Sequence, residues 1–163
     1  MKRALTIRSP HDFVRIALEA EDAADRKAAL IGVSNITVLA GIARNGEQNP
    51  SVRITAIRKL NDKAVLHAII RDAHDYPSVR TEAVNRLAWI EFPDYMPVIM
   101  EILNGSVDIR FLRRLSGNGF SVEIMKAAEA RLSDALKAAQ AEYKKAQVAH
   151  EEVPAANAAE IGS

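Results

Sequence analysis

The chain reads as an all-α protein, a series of short helices repeated along the sequence and followed by one long helix. Three observations predict it. The phrase Val52, Arg53, Ala56, Ile57, Leu60 recurs as Val79, Arg80, Ala83, Val84, Leu87, each member 27 positions further on, an interval typical of helical repeat arrays. No useful length of sequence alternates apolar and polar residues with period two, so no sheet is expected. Finally, residues 122–151 hold no proline or glycine and are rich in Ala, Glu, Lys, Gln and Leu, which favour helix.

The elements follow in order, as one short repeat domain over residues 1–116. Ser9 is an N-cap and Pro10 a first helical residue. They open a capping helix over residues 9–21, with Phe13, Val14, Ala17 and Leu18 inward. Asp22 caps a second helix, to about Val33, that carries a weaker copy of the phrase in Arg26, Ala29, Leu30 and Val33, with Asp25 in the valine place. Asn35 caps a third, with Ile36, Leu39 and Ile42 inward, and Asn45-Gly46 ends it. Asn49-Pro50 opens the Arg53 helix. Asn61 or Asp62 caps the next, with Leu66, Ile69, Ile70 and Ala73 inward, and Asp75-Tyr76-Pro77 opens the Arg80 helix. Asp94 caps a helix over residues 95–103, in whose first turn Pro97 is tolerated. A fourth copy, shifted by one residue, is Val107, Phe111, Leu112 and Leu115, with Asp108 in the arginine place. Gly117-Asn118-Gly119 is the strongest breaker in the chain.

Ser121 then caps the long helix, residues 121–151. Its seam is Ile124, Ala128, Leu132, Ala135, Ala139, Tyr143 and Ala146. The first half is expected to cover the last repeat and the second to fray. The alternative is a coiled-coil or dimerising helix, although so much alanine buries little area. Residues 152–163 are small and polar and are expected to be disordered.

The repeated phrase has a physical reading. At about 100° per residue, Val52, Ala56, Ile57 and Leu60 fall within roughly 140°, one apolar stripe of a helix. Arg53 projects inside that stripe and must find acceptors, because an unpaired buried charge is costly. Arg26, Arg53 and Arg80 are therefore expected to form a structural ladder bonded to carbonyls or acids in the inter-helix turns, with Asp75 and Asp72 serving Arg80. This phrase on short paired helices resembles the HEAT-repeat family in its short bacterial form, over roughly residues 22–116. The resemblance implies a right-handed HEAT-like α-solenoid of about four helix pairs, and usually a binding scaffold; it implies no reaction. Some HEAT-like enzymes are di-iron hydroxylases with repeated His-Glu pairs, of which this chain has only His150-Glu151. Another branch, the bilin lyases, has no tetrapyrrole pocket marked here.

Composition narrows the function. There is no cysteine, which excludes disulfides, thiolate metal sites and cysteine nucleophiles. The start lacks the apolar core of a secretory signal, and no apolar run approaches a membrane span; a cytoplasmic protein without membrane attachment is the expectation. His67 and His74, seven apart and read as one helix face, would with Asp75 make part of a metal site, but the set is too small for tight binding, and two surface histidines are the expectation. Gly117-Asn118-Gly119 precedes a helix N-terminus that would suit an anion, yet reads as a connector. Trp89, Phe92 and Tyr95 mark a long connection and are expected to plug the local core rather than form a contact site. No catalytic, cofactor or metal constellation appears.

What remains is charge. Lysine and arginine number 22 and aspartate and glutamate 21, so the whole chain is nearly neutral. Away from the apolar stripe, however, lie Arg58, Lys59, Arg86, Arg110, Arg113 and Arg114, and only Glu82 opposes them. They are expected to line one basic concave face, unless neighbouring acids neutralise it. The leading expectation is a non-catalytic scaffold binding an acidic segment of a partner protein. Nucleic-acid binding through phosphates on the same face is the first alternative, and a HEAT-like lyase or enzyme accessory subunit the second.

Overall fold

A computed structural model of the chain describes residues 9–91, 94–117 and 119–160. Among them there are helices and no strand. The elements are α1 (Pro10–Glu19), α2 (Ala23–Ala29) running into a 3-10 turn (Leu30–Gly32), α3 (Ile36–Arg44), α4 (Pro50–Ile57), α5 (Lys63–Arg71), α6 (Pro77–Glu91), α7 (Met96–Gly105), α8 (Ile109–Leu115) and α9 (Val122–Glu160).

Short polar side chains start these helices. Asp22 accepts from the Ala24 amide at 2.8 Å, Asn35 from Val38 at 3.2 Å, Asn49 from Ser51 at 2.9 Å and Asp62 from Val65 at 3.1 Å. Each bond satisfies a donor that the first helical turn leaves without an intrahelical partner. Asp62 rather than Asn61 is thus the cap of α5.

The chain forms two compact units, residues 1–105 and 106–163. In the first, α1 packs on α2, α3 on α4 and α5 on α6; α4 also contacts both α2 and α6, and α3 contacts α5. The repeated phrase supplies that packing. Val52, Ala56, Ile57 and Leu60 are fully buried, as are Val79, Ala83, Val84 and Leu87, while Ala29, Leu30 and Val33 of the weaker copy are buried as well. The alanines keep the helix axes close. Gly32 does the same for α1 and the 3-10 turn: a Cβ there would stand 2.4 Å from the Phe13 ring. In the second unit α8 packs on the first part of α9, burying Phe111, Leu112, Leu115, Ile124 and Ala128.

Several expectations change at this level. Val107 is exposed, because Asp108 is the N-cap of α8, accepting from the Arg110 and Phe111 amides. Val107 therefore precedes the helix instead of joining its stripe. Asp72 ends α5 and accepts the His74 amide at 3.0 Å, so Ala73 and His74 lie in the turn, both exposed, and His74 does not share a helix face with His67. α6 runs on to Glu91 where α4 stops at Ile57, since Asn61-Asp62 breaks the earlier copy and Ala88-Trp89-Ile90 continues the later one. α9 extends to Glu160, across residues 152–160 expected to be disordered; residues 161–163 lie outside the described ones. No helix among the described residues is long and apolar enough to cross a membrane.

Candidate interaction surface

Two rows of cations run along the first unit, one facing in and one facing out. The inner row is Arg26, Arg53 and Arg80. Arg53 is 2% exposed. Its Nε donates to the Ala43 carbonyl at 2.9 Å, Nη1 donates to Asp75 Oδ1 at 2.6 Å and Nη2 to Asp75 Oδ2. Arg80, equally buried, donates from Nε to the Ile70 carbonyl at 3.0 Å. In both, Nε reaches the carbonyl ten positions back, on the last turn of the preceding helix. A helix end that would otherwise carry bare acceptors is thereby satisfied, with its dipole facing a cation. Arg26 donates from Nη1 to the Ala20 and Glu21 carbonyls.

Asp75 was expected beside Arg80 and serves Arg53 instead. It stands in the turn ahead of α6, and α6 lies against α4, which carries Arg53. The position 27 residues before Asp75 is Gln48, and there the row has no acid. Gln48 Oε1 and Arg26 Nε are both buried without a hydrogen-bond partner.

The outer row begins just after α4. Lys59 Nζ donates to three carbonyls at the end of the preceding copy, Leu30 at 2.6 Å, Ile31 at 2.8 Å and Val33 at 2.6 Å. Arg86, 27 positions on, donates from Nε to the Leu60 carbonyl at 2.6 Å and from Nη2 to Asn61 Oδ1. Lys59 to Val33 and Arg86 to Leu60 are the same bond repeated one copy later. Arg58 differs. It forms a two-pronged pair with Glu82, Nε to Oε1 at 2.8 Å and Nη2 to Oε2 at 3.2 Å, and its side chain stays 62% exposed. The hydrogen bond and charge of Glu82 raise the Arg58 pKa, while burial lowers that of Arg86; both guanidiniums remain charged at neutral pH.

Arg86 also covers Trp89, its guanidinium carbon 4.5 Å from the ring centroid. Trp89 is 74% exposed, not a core plug. Tyr95 takes the core position, buried at the start of α7, and Phe92 lies outside the described residues. Glu91, at the end of α6, pairs with Lys63 at 2.6 Å and lies 3.8 Å from His67 Nε2. Of the remaining predicted cations, Arg110, Arg113 and Arg114 are exposed on α8 in the second unit, the last two on its final turn where the helix dipole favours them.

A small open pocket lies over the Arg53–Asp75 pair, lined also by Arg44, Gly46, Asp72, His74 and Tyr76. Its acids and bases are mixed, and among the described residues no group of three or more His, Asp or Glu is placed to hold a metal. The Gly117-Asn118-Gly119 turn has Gly119 at φ +112°, a conformation suited to glycine; Asn118 falls outside the described residues. Sequence reasoning missed the carbonyl partners of Lys59 and Arg86. The equal spacing of the two residues was the available signal.

Comparison with family models, with curated proteins and with solved structures gives no match.

Proposed function

We propose that this chain is a non-catalytic scaffold for protein interaction, a short right-handed HEAT-like α-solenoid whose α2–α4–α6 side receives an acidic segment of a partner. The helix pairing, and the contact of α4 with both α2 and α6, support the solenoid reading, since each copy then buries its apolar stripe against the next. One observation carries the binding reading. Lys59 and Arg86 are held by carbonyl and amide oxygens rather than by carboxylates. Those dipoles fix the side chains without cancelling their charge, so positioned positive charge is left for an anion. Neighbouring helices sit roughly 8–10 Å apart, close to one Debye length at physiological salt, so such charges reinforce one another.

The test uses the full chain and a fluorescein-labelled decaglutamate peptide, read by anisotropy, with single-stranded oligo(dT) and a DNA duplex as competitors. The expected result is binding that weakens as salt rises and resists competition by either nucleic acid at equal charge. Absence of binding at low salt, or ready displacement by nucleic acid, contradicts the reading.

A further inference from the structure

We propose that Trp89 is the apolar anchor of this surface, and that the partner segment carries an aromatic or aliphatic side chain flanked by carboxylates. The inference rests on the scaffold reading and specifies its ligand. Glu82, Arg86 and Trp89 stand at i, i+4 and i+7 on α6, a single stripe of the helix. Asn85, exposed beside them, is the repeat equivalent of Arg58 and of Ile31, which is 79% exposed. The stripe thus adjoins the row of cations.

The indole stands 74% exposed near the end of α6, and tryptophan and arginine are both among the residue types enriched at energetically dominant interface positions. This indole is also held in place. Arg86 is tied to the Leu60 carbonyl and to Asn61 while it stacks on the ring, so the cation–π contact fixes the ring before any partner arrives. Fixing a side chain in advance removes part of the entropy lost on binding. With one face under the guanidinium, the opposite face and edge meet the partner.

Charge decides the class of partner. Arg86 stacks on the ring, Arg58 and Lys59 belong to the preceding copy, and Glu82 pairs with Arg58, whereas Glu91 pairs with Lys63. That balance suits a segment with a few carboxylates around one apolar residue. A polyphosphate backbone would meet Glu82 within the row, and tight phosphate binding draws on many cations.

Trp89 is the only tryptophan, so its emission reports directly on the site. Three labelled 12-residue peptides of glutamate and serine, differing only in a central Ala, Leu or Phe, are titrated into the full chain, with oligo(dT) alongside. The Phe and Leu peptides are expected to bind about tenfold more tightly than the Ala peptide, the gain from burying one apolar side chain, and to shift the emission to shorter wavelength. Trp89→Ala should bring the three peptides to one common affinity, while Trp89→Phe keeps part of the difference. Equal affinities with unchanged emission overturn the anchor and leave the acidic-partner reading standing. Failure of all three peptides to bind overturns both. An emission shift produced by oligo(dT), with tighter binding than any peptide, overturns the peptide assignment in favour of base stacking.

Discussion

At the scale of single residues, the most consequential feature is the guanidinium placed inside an apolar stripe. Arg53 is tolerated there because every face of it meets an acceptor, one carbonyl and one bidentate carboxylate. Removing it would strand Asp75, whose side chain is only 5% exposed, and breaking a buried pair costs about 3–5 kcal/mol. Arg58 makes an equally well-shaped pair, but in water, where such contacts contribute about 0–1 kcal/mol. Thermal unfolding of Arg53→Ala and Arg58→Ala should therefore show a large loss for the first and a small one for the second. Equal losses would mean that the inner row is not structural. That an arginine belongs in the stripe was readable from its 27-residue recurrence. Its acid was not, because choosing between Arg53 and Arg80 as the partner of Asp75 depends on which helices lie side by side. The missing acid at Gln48 was readable only once that pairing was known.

At the scale of elements, capping residues explain most helix starts, and the short polar residues before each apolar run made them legible in the sequence. Ends were harder. α2 tightens into a 3-10 turn because Gly32 lets the chain close on Phe13, a contact distant in sequence. Val107 looked like a member of the stripe until Asp108 was seen to be a cap. α9 raises a different question. Its early turns bury Ile124, Ala128 and Ala135, whereas every residue from Lys137 to Ala149 is exposed, Tyr143 and Val148 included. Since burial of apolar area is what stabilises, a chain cut after Leu136 should unfold cooperatively, with its melting temperature nearly unchanged and its sedimentation that of the full chain after correction for mass. Loss of an oligomer on truncation would instead assign the exposed half to self-association.

At the scale of the whole molecule, near-neutral composition hides local order. The 22 basic and 21 acidic side chains nearly cancel in sum, yet in the first unit Asp22 and Asp62 cap helices and Asp75, Glu82 and Glu91 pair with Arg53, Arg58 and Lys63, while Lys59 and Arg86 are held by uncharged oxygens. The sequence pointed to this row through equal spacing, but it gave no sign that the two side chains bridge successive copies of the repeat. The same bonds that link the copies hold the cations in position, so structure and the proposed binding share residues, and charge reversal at Lys59 or Arg86 would confound the two. Glu82 offers a cleaner handle. Glu82→Gln keeps the size and an acceptor for Arg58 while removing the one acid that answers the row. The most direct measurement is the affinity of decaglutamate for Glu82→Gln against that of the unaltered chain at fixed low salt. A surface charge effect of roughly 0.2–1 kcal/mol predicts tightening by about 1.5- to 5-fold, converging on the unaltered value as salt is raised. Unchanged or weaker binding in the variant, with its fold intact, would contradict an anion-binding face.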